Sequence, residues 1–317
     1  MSLPQSKPLN IICAGECMVE LRPAGAFEKG DSDYASRFAG DVTNFAVYLK
    51  RLTTSSCVQF FSATGTDVLS DKLYTFLSNE DIDSTLVARS DKQTVGLYMI
   101  HTDKTGERTF TYWRSDSAAR KMLQLADQAM LSRAIDAADY FYFSGITVAI
   151  LDSRSRQQLF GIAEKFRDQG KTVIFDPNYR ERLWSGQNGV LKEYERAYRL
   201  CNILLSGIED EQSLWGVSST TSALEHLVTY GIDQIILTNG PNAISGYDDG
   251  RLFEVEPVAP DSVVDTTSAG DAFNAGFIAA RHVGFSAEES VLKASKLASV
   301  VIGLPGAIIA KTEMPTP

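Results

Sequence analysis

The chain has 317 residues, of which 44% are hydrophobic, enough for a sizeable core in one α/β unit or two smaller ones. Thirty Lys and Arg against forty Asp and Glu give a net charge of −10. With no basic cluster, nucleic acid and anionic membrane are excluded as expected partners. Four cysteines (Cys13, Cys17, Cys57, Cys201) form no CxxC pair. Cys13 and Cys57 lie in apolar strand-like runs and are expected to be buried free thiols in a reducing compartment. No apolar run reaches membrane-spanning length and no signal-peptide core opens the chain, so a soluble, cytoplasmic protein is expected.

In chain order, residues 10–15 read as a short apolar strand ending at Gly15. Residues 18–22 and 34–38 read as strands around a polar connector, and Asp41–Leu52 has helical spacing. Residues 58–63 form another buried strand, followed by Gly65-Thr66-Asp67 and a helix to about Leu77. Residues 95–102 and 107–113 alternate apolar and polar residues around Asp103-Lys-Thr-Gly106, which predicts a hairpin. From Asp139 onward the pattern changes. Short apolar runs at 140–143, 173–175, 203–205 and 234–237 are separated by helix-length stretches, which predicts βαβ units and a parallel sheet. Two helices, 269–283 and 287–301, close the pattern. The half-exposed strands at about 18–38 and 94–114 do not belong to a parallel sheet. They are expected to form a small β-sheet lid, built from two excursions, over the carboxyl ends of the strands. No linker or repeat divides residues 1–317, so one α/β domain is expected.

The most informative stretch is Asp265-Thr-Thr-Ser-Ala-Gly-Asp-Ala-Phe-Asn-Ala-Gly276. Its small residues, Ser268, Ala269 and Gly270, permit a tight turn and close approach to a ligand. They open a helix whose first N–H groups would face an anion. Asp271 adds a carboxylate in the first turn. An anion cradle beside an acid suits transfer of a phosphoryl group to a hydroxyl. No Gly-x-x-x-x-Gly-Lys-Ser/Thr loop and no Gly-x-Gly-x-x-Gly fingerprint is present, so neither a Walker-type phosphate loop nor a dinucleotide site is expected. Arg114, at the end of a lid strand, and Arg180, after Asp176-Pro-Asn178 at a strand's carboxyl end, are two cations directed toward one cleft. They suit a substrate carboxylate, which guanidinium binds bidentately.

Asp265–Gly276 resembles the second signature of the PfkB (ribokinase-like) family of carbohydrate kinases. Phe38-Ala-Gly40-Asp41-Val-Thr-Asn44 resembles that family's sugar-binding signature, so the likeness spans essentially the whole chain. It implies a ribokinase-like three-layer α/β fold, with a mainly parallel central sheet flanked by helices and a small β-sheet lid. It further implies Asp271 as catalytic base, with a backbone anion hole at Ala269 and Gly270. Thr238, Gly240, Thr266, Ser268, Ala269, Gly270, Ala298 and Ser299 would lie by ATP. The family's Asn-x-x-Glu motif is represented only by Ile208-Glu-Asp-Glu211, leaving Glu211 to organise Mg²⁺ through water. Gly15–Leu21, Gly96-Leu-Tyr98, Tyr112-Trp-Arg114, Asn178-Tyr-Arg180 and Leu214-Trp-Gly216 are similar to one branch, the 2-keto-3-deoxygluconate kinases. That likeness implies a sugar-acid site of Gly40, Asp41, Asn44, Tyr98, Tyr112, Arg114 and Arg180, with Asp271 touching the acceptor hydroxyl. The expected partners are a sugar acid, ATP and a second copy of the chain in a dimer. Fructokinase, ribokinase, a 2-dehydro-3-deoxygalactonate kinase and a non-catalytic sugar-acid sensor are the alternatives.

Overall fold

A computed structural model describes residues 7–24, 33–102, 108–184 and 188–315. Its strands, in chain order, are β1 (Asn10–Ala14), β2 (Met18–Pro23), β3 (Tyr34–Ala39), β4 (Cys57–Thr64), β5 (Val87–Arg89), β6 (Gly96–Thr102) and β7 (Arg108–Trp113). They continue as β8 (Tyr140–Ser144), β9 (Thr172–Asp176), β10 (Ile203–Gly207), β11 (Gln234–Asn239), β12 (Asn242–Asp248) and β13 (Arg251–Val255). Nine of them make one sheet in the order β13-β12-β11-β10-β9-β8-β1-β4-β5. Neighbours run parallel from β5 to β11, while β12 and β13 add an antiparallel edge. This is the predicted mainly parallel sheet. Its inner strands read as continuous apolar runs because helices cover both faces, leaving Ile11, Phe141, Val173, Leu204 and Ile235 buried. β5 and the β12–β13 pair are additions to the predicted elements.

Two apolar clusters lie on opposite faces of the sheet. On one face the helix Asp41–Leu52 packs against Ala269–His282, which packs in turn against Ala287–Ile302. Both inner helices are buried nearly all round, as expected of elements sandwiched between layers. Gly276 lets the last two approach, since a Cβ there would lie 2.9 Å from Ala294 Cα.

A second sheet, β3-β2-β6-β7, is formed by the two excursions. β2 and β6 pair in parallel, and antiparallel β3 and β7 flank them. The predicted hairpin turn Asp103–Gly106 lies outside the described residues. One face of this sheet meets the core through Val19, Leu21, Phe38 and Leu97. The other carries Met18, Tyr98 and Ile100 around Ala307.

The expectation for Cys57 is corrected. It begins β4, opposite Asn10, where the covering helices end, and it is exposed; Cys13, Cys17 and Cys201 are buried. Among the described residues, no helix is long and apolar enough to cross a membrane.

Candidate active site

The carboxyl ends of the central strands and the start of the Ala269 helix gather most of the polar side chains singled out above. Gly40 precedes the Asp41 helix, and a Cβ on it would stand 2.3 Å from the Glu16 carbonyl oxygen, so the turn admits no larger residue. Asn44, one turn into that helix, donates from Nδ2 to Asp271 Oδ2 at 2.8 Å. Asp41 accepts from Ser144 Oγ at 2.5 Å and from Asn178 Nδ2 at 3.3 Å. Ser144 and Asp176 are register partners at the ends of β8 and β9. Asp176 accepts from Tyr142 at 3.3 Å and from Asn274 at 3.1 Å. Sequence segments far apart thus converge on one acidic cluster.

Asp271 is buried, and its carboxyl is pushed up to about 7. Loss of water is the first cause and the Asp41 charge the second. The Asn44 amide, the nearby Ser268 hydroxyl and the Arg180 charge hold the rise in check. The Ser268 hydroxyl nevertheless meets no partner at hydrogen-bonding geometry. Burial, followed by the charges of Asp271, Asp210 and Asp41, raises Asp176 well above the carboxylate range. Asp210, which accepts from the Tyr179 amide at 3.0 Å, is pushed up to about 6 by burial. A buried acid held near neutrality is equipped to take a proton and release it.

The helix start departs from the expected anion hole in one respect. Ser268 occupies the left-handed region, at φ 66°, and the first helical hydrogen bond runs from Ala272 N to Ser268 O at 2.9 Å. Ala269 N–H is turned to Thr266 O at 3.3 Å, so Gly270 is the member of the expected pair whose amide stays at the open end. Apart from its chain neighbours and its own helix backbone, no atom of the described residues lies within 4 Å of the Cβ position of Gly270, which leaves room there for a ligand. Asp265 braces this loop. Its Oδ1 accepts from Thr267 N at 3.0 Å, and its Oδ2 from Gly306 N at 2.8 Å. Among the described residues, two of the four non-glycine residues with positive φ, Ser268 and Asn178, belong to this site. Strain of that kind recurs at functional sites.

Among the residues expected around a nucleotide, Thr238 is the penultimate residue of β11 and donates to Ser206 O at 3.2 Å, while Gly240 makes the following turn at φ 54°. Thr266 is exposed beside the helix start. Ala298 and Ser299 lie near the end of the Ala287 helix, which the loop reaches through Val264 and Asp265 amides bonded to Ile302 O. The Ser299 hydroxyl donates to Lys296 O at 2.8 Å within its own helix.

The two arginines differ. Arg180 is half exposed, lies 3.8 Å from Asp210, and its charge reaches Asp271 and Asp176. Arg114 is buried and ion-paired with Glu16, a residue the sequence analysis did not single out. Arg114 is therefore not a free cation, although its Nε and Glu16 Oε1 remain buried without partners. Tyr98 is also buried. It stacks on Tyr112 at 5.6 Å and donates to Glu20 Oε2 at 2.5 Å.

Glu211 is the residue expected to organise Mg²⁺ through water. It is 0% exposed and accepts from Tyr198 at 2.9 Å and from Ser206 at 2.7 Å, with no edge facing solvent. Burial pushes it up to about 7. Among the described residues, no group of three Asp, Glu, His or Cys side chains is gathered for a metal.

Asp176, Asn178, Asn274, Asp210 and Glu16 were not assigned from sequence. For Asp176 and Asn178 a signal existed, namely polar residues directly after an apolar strand, where α/β sites form.

The pfkB family carbohydrate kinase pattern matches residues 9–314. The 2-dehydro-3-deoxygluconokinase of Dickeya dadantii (strain 3937) is 37% identical over 311 residues, which is 96% of this chain and 98% of its own. The 2-dehydro-3-deoxygluconokinase of Escherichia coli (strain K12) is 35% identical over 316 residues, 98% of this chain and 99% of its own. The fold is shared with a PfkB protein from Polaromonas sp. JS666, at TM-score 0.81 and 24% identity over 94% of this chain and 98% of that one. It is also shared with a putative ribokinase II from E. coli in complex with ATP and Mg²⁺, at TM-score 0.82 and 20% identity over 95% of this chain and 94% of that one. A match running from the first strand to the last residues, around an acid at the head of this helix, places the chain in the pfkB family of carbohydrate kinases.

Proposed function

We propose that this kinase transfers the γ-phosphoryl group of ATP, delivered as its magnesium complex, to the terminal hydroxyl of 2-dehydro-3-deoxy-D-gluconate. The observation that carries the catalytic part is Asp271, buried at the head of a helix, hydrogen-bonded by Asn44 and held near neutral pH. The substrate rests on the names of the relatives at 35–37% identity. Asp271 takes the proton of the hydroxyl as its oxygen bonds to the γ-phosphorus; the bridging P–O bond breaks and ADP leaves. The Gly270 amide and the helix N-terminus stabilise charge on the transferred group, a role that needs only fixed dipoles. Magnesium enters on the triphosphate, where phosphate and water supply most of its ligands.

Gly40, Asp41 and Asn44 hold sugar hydroxyls in this proposal. Arg180 supplies the accessible positive charge for the acid group, and Tyr98 and Tyr112 line the underside of the small sheet, which serves as a lid. Arg114 contributes if a bound carboxylate competes for it with Glu16. Acidic surface chemistry and the family's small-molecule substrates favour a cytoplasmic enzyme.

The test is ADP release with ATP, Mg²⁺ and a panel of 2-dehydro-3-deoxygluconate, its galactonate epimer, fructose, ribose and gluconate. Turnover on the keto-deoxy acids is expected. Preference for fructose or ribose would overturn the carboxylate assignment, and no turnover on any of them would favour a non-catalytic sensor.

A further inference from the structure

We infer that Arg182 is a positioning residue for the acceptor: it fixes the underside of the small sheet against the carboxyl end of β9. This rests on the proposed reaction for its kinetic consequence, though not for its structural one. Arg182 belongs to the short helix Glu181–Trp184 that follows β9, in the segment that also carries Asn178 and Arg180. Its guanidinium carbon lies 3.8 Å from the centre of the Tyr112 ring on β7. Arg182 makes no ion pair with any described residue, so the ring is the partner of its charge, a favourable arrangement for a cation over a π face.

Both ends of the contact are anchored. On the core side, Trp184 is buried beneath the Arg156 guanidinium, at 4.7 Å, and Arg156 donates to Val148 O at 2.8 Å. On the sheet side, Tyr112 stacks on Tyr98, whose hydroxyl is held by buried Glu20. The contact therefore joins the element carrying Arg180 to the two tyrosines proposed to cover the sugar acid. Loosening it would free the sheet's underside while leaving Asp271 and the helix start untouched. The burden would fall on acceptor binding rather than on chemistry.

Hydrogen exchange of ligand-free protein and steady-state kinetics test this together, using R182A, R182K, Y112L and R182A/Y112L. In R182A, amides of Thr109–Trp113 should exchange about two- to fivefold faster, the change expected for one partly exposed cation–π contact. KM for the sugar acid should rise by a similar factor, with kcat and KM for ATP within about twofold of the parent. R182K should recover part of both effects, since it keeps the charge but not the planar stacking. The double variant should exchange no faster than Y112L alone. Unchanged exchange in R182A, equal rises in both KM values, or singles whose effects multiply in the double would each overturn the assignment. If R182A melts early, R182K and Y112L carry the same comparison. Inactivity of the parent enzyme on this acid would sink the proposed substrate, and the exchange results would then decide the role of Arg182 unaided.

Discussion

Asn44→Ala isolates what controls the proposed base. Asn44 donates to Asp271 at 2.8 Å, and this bond is a principal restraint on a carboxyl that burial and Asp41 drive up to about 7. A hydrogen bond to a charged group contributes about 1.5–3 kcal/mol, and one pKa unit corresponds to about 1.4 kcal/mol. Losing it favours the protonated form, so the Asp271 pKa should rise. Water entering the space left by the amide replaces part of the bond, which puts the expected rise near the lower bound, about one unit.

The sign follows from the chemistry. Asp271 accepts a proton only when ionised, so its titration sets the acid limb of kcat/KM, which climbs as pH rises through the pKa. The limb should sit near pH 7 in the parent and about one unit higher in N44A. The assay is ADP release at saturating ATP and low sugar acid over roughly pH 5.5 to 9.5, with KM for ATP as control. The height of the plateau also falls because Asn44 is proposed to touch the sugar; the position of the limb is the diagnostic. A limb that stays in place or moves to lower pH would refute the account of how Asp271 is tuned.

Asp271→Asn should cut kcat at least about a hundredfold and abolish the acid limb while leaving ATP affinity roughly intact, as measured by turnover and nucleotide titration. Glu211→Gln should stabilise the fold above neutral pH and not at about pH 5. The Glu211 pKa is raised by burial to about 7 from an ordinary 4.5, so its contribution to stability is full below the unfolded value and is lost as pH rises to the folded one. The difference between variant and parent in thermal or denaturant unfolding should grow by about 2–3 kcal/mol across that window; a pH-independent difference would refute it. Gly145→Ala places a Cβ 1.9 Å from Pro177 O and 2.3 Å from Tyr194 Oη, so backbone must move. It should cost about 1–3 kcal/mol in unfolding experiments and raise KM for the sugar acid through displacement of Asn178 and Arg180.

The parts legible in the sequence are those that local chemistry dictates. Small residues before an acid wrote the start of the Ala269 helix, and apolar runs at regular intervals wrote the parallel strands. The β12–β13 pair was not read, although its turn Asp248-Asp249-Gly250, with φ 45° and 91° at the last two residues, carries a hairpin signal. Arg114 shows where local signals end. Its partner Glu16 lies 98 residues away and is reached only because β2 and β6 pair in parallel, which brings Met18 opposite Gly96. A cation's role is set by the acid beside it, and register decides which acid that is.

The same holds for Asp271, whose position is local but whose chemistry is not. Its restraint comes from Asn44, 227 residues away, its repulsion from Asp41 and its counter-charge from Arg180. Asp41 and Asn44 reach it from the helix Asp41–Leu52, and Arg180 from the segment after β9. Moving any one of those elements would change the proton affinity of the acid without touching Asp265–Gly276. The motif names the proposed base, and the fold sets the pH at which it would titrate.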